Sequence, residues 1–132
     1  MFAFRPMIPM VGLIALIATG SSANSSTISH TGSVSPGSVV MVNGSFTYTT
    51  GTTPSVRVDF GTYSGGTFSP FNPAIYRDAT VVVVNPPSGT FSISPGYQGT
   101  AGVQVAFKST LYTMNFFGVK SPVADSVGTI TP

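Results

Sequence analysis

The side chains able to carry acid–base or metal chemistry are few: His30 is the single histidine, Asp59, Asp78 and Asp125 are the only acids, and cysteine is absent. A Ser-His-Asp triad needs a nucleophile, a base and an orienting carboxylate on a rigid scaffold, and no Gly-x-Ser-x-Gly element is present. His30 lies in a Ser/Thr/Gly-rich stretch that reads as an exposed arm. Glycoside hydrolysis requires two carboxylates across a cleft. Here Asp59 stands two residues from Arg57 and Asp78 directly follows Arg77, so ion pairing is the expected role of both. One histidine without thiolates does not make structural zinc, and three dispersed aspartates do not make a calcium cage. No catalytic residue, no metal ligand and no cofactor are expected, and the chain reads as a non-enzyme.

Recognition chemistry has more material. The segment Thr62 to Ala79, TYSGGTFSPFNPAIYRDA, reads as a long loop carrying Tyr63, Phe68, Phe71 and Tyr76 beside Gly65-Gly66, Pro70 and Pro73. Such aromatics offer large contact area at low entropic cost, to a partner subunit or a glycan, or else cap one end of a core. Two Asn-x-Ser patterns, at Asn24 and Asn43, are candidate glycan acceptors, and Asn43-Gly44 is also a turn signal.

These residues must be held by a single domain, since 132 residues leave no room for a second. Charged residues are 6% of the chain, against about 25% in average soluble domains. Serine and threonine number 18 and 17, so the expected surface is neutral and hydroxyl-rich. The formal charge of +2 reflects scarce acids rather than a basic patch, which argues against nucleic acid as a partner. Abundant β-branched and aromatic residues argue for a packed fold.

Residues 1–23, MFAFRPMIPMVGLIALIATGSSA, carry Arg5, an apolar run from Met7 to Ala18 and a small-residue end. That is the pattern of a cleaved signal peptide, and the run is shorter than the roughly 20 residues of a bilayer span. No stable transmembrane span is expected if it is removed. The alternatives are a retained hydrophobic arm and a pilin-type leader; the chain's lack of glutamate removes the acidic residue of the bacterial pilin type. Intact-mass measurement separates removal from retention.

Residues 24–38 read as an extended arm, with Ile28, His30 and Val34 as candidate contacts for strand donation to a neighbour, and 39–132 as the β domain. Val40, Val42, Phe46 and Tyr48 share one face if the strand runs through Gly44, the favoured choice over a hairpin at Asn43-Gly44. Val56, Val58 and Phe60 alternate with Ser55, Arg57 and Asp59, and Val103, Val105 and Phe107 with Gln104, Ala106 and Lys108. Val81 to Val84 is either a strand covered on both faces or an aggregation-prone segment. Phe91 with Ile93 forms a short strand, and Leu111 to Val119 closes the set. No capped helical pattern occurs after residue 23. The expectation is an all-β sandwich of about seven or eight antiparallel strands, immunoglobulin-like or a small jelly roll.

The stretch from Val34 to Phe46 with its Pro36-Gly37 turn, Ser55 to Phe60, and Ser88-Gly89-Thr90-Phe91-Ser92 together resemble prokaryotic immunoglobulin-like surface domains. The resemblance spans about half of the chain after the leader and departs from the family pattern at Thr62 to Ala79. It implies extracellular or cell-surface display, adhesion or assembly, and supplies no catalytic residues. The expected function is a non-catalytic structural or adhesive protein that self-associates into a filament or layer. A virion coat or spike protein with a retained hydrophobic N-terminus is the alternative. A carbohydrate-binding module using Tyr63, Tyr76 or Tyr97 on a surface glycan is the third reading.

Overall fold

The computed structural model describes residues 26–132; residues 1–25, with the leader and Asn24, lie outside them. Nine strands follow in order: β1 Thr27–Ser35, β2 Val39–Thr47, β3 Thr53–Ser64, β4 Thr67–Asp78, β5 Thr80–Val83, β6 Ser88–Ser92, β7 Tyr97–Gln98, β8 Val105–Met114 and β9 Lys120–Ile130. They form two antiparallel sheets, one ordered β1-β2-β6-β5 with β7 on β2, the other β4-β3-β8-β9. With strands lettered along the chain, these are the A-B-E-D and C′-C-F-G sheets of an immunoglobulin-like sandwich. The expected sandwich is present with nine strands rather than seven or eight, and the jelly-roll alternative does not fit this order.

Alternation builds the core. Val40, Val42, Phe46 and Tyr48 from one sheet meet Val56, Val58, Phe60, Val105, Phe107 and Leu111 from the other, all buried. The second strand runs unbroken through Asn43-Gly44, as favoured from the alternation. Gly44 is there for close approach, not for a turn. A Cβ at this position would lie 2.0 Å from the Ser29 carbonyl oxygen and 2.8 Å from His30 Cα, both backbone atoms of β1.

Several expectations are corrected. Thr62 to Ala79 is not a loop: it contains the end of β3, a turn at Gly65-Gly66 and all of β4. The register slips there, with Phe60 opposite Ile75 but Gly61 opposite Pro70, so Phe71 to Ala74 bulge outward from the ladder. Prolines 70 and 73 are tolerated because β4 is an edge strand, where half of the backbone groups need no ladder partner. Leu111 to Val119 is not one closing strand either. Leu111 to Met114 are the end of β8, Asn115 to Val119 make a turn, and β9 follows. Val81 to Val83 belong to an edge strand, and Val82, Val83 and Val84 are exposed rather than covered on both faces.

The steric demand at Gly44 is testable. Gly44→Ala should cost roughly 1–3 kcal/mol of stability through overpacking against β1, read as a lowered urea midpoint. Asn43→Ala, whose side chain is exposed, should shift it by less than about 0.5 kcal/mol.

Candidate functional site: two apolar surfaces on a β-sandwich

His30 is not an exposed arm residue. It lies on β1, which pairs with β2 of the same chain from Thr27↔Thr47 to Ser35↔Val39, and its side chain turns inward toward β8 and β9. Its Nδ1 is 2.7 Å from Ser109 Oγ, its ring sits 4.7 Å from the Phe107 ring, and Nε2 is buried without a hydrogen-bond partner. Burial lowers its pKa from 6.5 to about 4, with the Val127 backbone opposing the shift in part. Ser109 is 0% exposed, while His30 is half-buried and lines an open cavity of about 1090 Å³ between β1 and β9. The His30–Ser109 pair is a neutral polar contact across the sandwich.

The charged groups are mostly spent locally. Arg57 meets Asp59 at 3.1 Å and its guanidinium lies 3.8 Å over the Tyr76 ring, while Lys108 reaches Asp125 at 4.0 Å. Arg77 does not pair with Asp78 as expected; it donates to the carbonyls of Tyr76 and Gly96, tying β4 to the connection before β7. Among the described residues no cluster of three or more His, Asp or Glu could hold a metal ion.

The four aromatics of 62–79 do not form one patch. Phe71 is half-buried and stacks on Tyr97, which in turn stacks on Phe60 at 4.8 Å. Tyr76 carries Arg57 on its face. Tyr63 and Phe68 are cross-strand partners near the β3–β4 turn. Of the tyrosines named as sugar platforms, Tyr97 and Tyr76 therefore have a face already occupied. Asn43 is exposed in mid-strand, between Thr31 and Ser92. Ile28 is buried, His30 is bonded to Ser109 and Val34 is exposed, so donation of this arm would require β1 to leave its own sheet.

Of two exposed apolar surfaces, one went unnoticed in the sequence and the other was read as the valine run Val81 to Val84, either covered on both faces or aggregation-prone. The first is the β8–β9 turn, where Phe116 and Phe117 are 92% and 84% exposed. Its signal was available: Asn115 and Gly118 bracket the phenylalanines with turn-forming residues. The second is β5, which among the described residues pairs with β6 alone and leaves its other edge unpaired beside exposed valines.

Comparison with protein-family models, with curated proteins and with solved structures finds no match in any of the three. The class defined here is that of an immunoglobulin-like β-sandwich, fixed by strand order alone.

Because His30 is neutral when folded and protonated when unfolded below pH 6.5, the unfolded state binds the extra proton. Stability is therefore full above about pH 6.5 and declines toward pH 4, by up to roughly 3 kcal/mol. Denaturation midpoints across that range should show the decline, and His30→Phe should flatten it.

Proposed function

We propose that the protein is a non-catalytic structural or adhesive module displayed outside the cell, which self-associates through its free sheet edge. The observation that carries this is β5. Exposed strand edges template further pairing, and soluble proteins blunt them with lysine, proline or a covering element. Thr80 to Val83 contains none of these, and Val82 is 53% exposed. Asp78 and Asn85-Pro86-Pro87 flank the strand without interrupting it. Addition of a second copy's strand to this edge would continue the β1-β2-β6-β5 sheet by β-augmentation. That route leaves β1 in place, unlike donation of residues 24–34.

The neutral, hydroxyl-rich faces support the same reading. Thr27 and Thr47 pair at 2.7 Å and Ser29 and Ser45 at 3.3 Å, so the outer surface beside β1 satisfies itself without charge that would repel a neighbouring copy. The His30–Ser109 pair supports the non-catalytic part, since the Ser109 hydroxyl that the histidine faces is itself fully buried.

Light scattering and negative-stain imaging of the protein test the proposal, with Val82→Lys as the variant. The wild-type chain should form large oligomers or filaments, and the variant should remain monomeric with an unchanged melting temperature. A monodisperse wild-type monomer at high concentration would sink the proposal.

A further inference from the structure

The β8–β9 turn is held too firmly for its phenylalanines to be idle. Asn115 Oδ1 accepts hydrogen bonds from the Phe117 and Val119 amides at 2.8 and 3.0 Å. The Asn115 amide donates to the Val119 carbonyl and the Gly118 amide to the Asn115 carbonyl, each at 3.0 Å. Gly118 takes a φ of +81°, a conformation other residues rarely adopt. Phe116 and Phe117 pack edge-on against each other at 5.6 Å. Covering a phenylalanine is favourable, and both rings stand exposed on this turn.

The surroundings extend the apolar character. Met114, Val119 and Val123 are exposed beside the turn, and Val84 is exposed at the β5–β6 connection. That connection reaches the same end of the sandwich, because Ser88 pairs with Thr47 and the Tyr48 amide donates to the Pro87 carbonyl. The first strand also begins here, with Thr27 opposite Thr47, so residues 1–25 join the domain at the end that carries the phenylalanines. Their sequence holds the apolar run Met7 to Ala18 and no acid.

Charge is one-sided as well. Lys120 opens β9 at this end, with its ammonium 5.1 Å from the Tyr112 ring. All three carboxylates lie down the strands: Asp78 is opposite Arg57, Asp125 is on β9 beyond Lys120, and Asp59 is on β3 opposite Lys108. At about 3.3 Å per residue, the nearest lies roughly 13 Å from the strand ends.

We propose that this end of the sandwich contacts a lipid bilayer, with Phe116 and Phe117 entering the interfacial region and Lys120 at headgroup level. Two aromatic rings alone give weak, reversible binding. The bilayer is favoured over a protein groove because both rings stand exposed at the tip of a turn beside Lys120, with every carboxylate set back along the strands where it does not repel anionic headgroups. The proposal does not depend on association through β5.

The chain contains no tryptophan, so Phe117→Trp in the full chain is a probe without background. With vesicles of phosphatidylcholine and phosphatidylserine, its emission should shift to the blue and be quenched by lipids brominated high on the acyl chain. Tyr63→Trp, near the turn at the opposite end, should show neither effect. The Phe116→Ser, Phe117→Ser double variant should lose at least tenfold in vesicle co-sedimentation while keeping its circular dichroism and melting temperature. Absence of quenching at position 117 overturns the proposal. So does equal quenching at 63, or a blue shift that follows protein concentration without lipid, which would assign the tip to a second copy. Val82→Lys should leave the quenching unchanged.

Discussion

The two sheets are joined along one side by a single aromatic ring seated between two glycines. Phe107 projects from β8 toward β1 and β9, and a methyl group at Gly32 or Gly128 would lie 2.7 or 2.8 Å from its Cζ. The ring therefore occupies the volume those side chains would have taken. His30 packs on the same ring and reaches Ser109, so the seam combines one large apolar group with one neutral polar contact. Immunoglobulin-like domains of antibodies join strands B and F by a disulfide. This chain has no cysteine, and β2 and β8 instead contribute Val40, Val42, Phe107 and Leu111 to one shared core. Cohesion rests on packing, which makes the inward-facing positions sensitive to volume in either direction.

That arrangement explains which strands were legible from the sequence. Val56, Val58 and Phe60 announced themselves because large apolar residues alternate with charged ones. The last strand, KSPVADSVGTI, did not, although Ala124, Ser126, Gly128 and Ile130 are its more buried positions. Its inward face is small because Phe107 fills the space from the neighbouring strand. A hydrophobic period cannot be seen where the hydrophobic group belongs to another strand. The first strand is obscured likewise, since its inward row includes His30 and Gly32. The fourth read as a loop from its prolines, glycines and aromatics, and that composition is permitted by its position at the edge and by the bulge from Phe71 to Ala74.

The candidate surfaces were less legible than the fold. Exposure is a property of what fails to pack, and sequence alone does not reveal that Phe116 and Phe117 lie beyond the last ladder pair, Met114 with Lys120. In a chain with 42% hydrophobic residues, two more phenylalanines look like core. The valine run posed the same difficulty: Val81 packs on the core, while the residues after it are exposed at the rim.

The two apolar surfaces point in different directions, and this constrains how they can act together. Augmentation at β5 extends a sheet perpendicular to its strands, whereas the turn at Phe116 and Phe117 points along them. If two β5 edges paired antiparallel about a two-fold axis, each neighbour would be turned end over end and adjacent tips would face opposite sides. Such an assembly would bridge two bilayers or leave half its tips in water. A pair resting on one bilayer needs all strands aligned, which a contact between β5 and an unlike edge can supply about a two-fold axis along the strands. The fourth strand is the other free edge on that side of the sandwich, since β1 and β9 lie against each other at the seam. Its bulge and prolines leave only short paired stretches, Arg57–Phe60 with Ile75–Asp78 and Gly61–Ser64 with Thr67–Pro70. An aligned assembly would therefore have to use one of those stretches, and the four-residue length of β5 matches either of them.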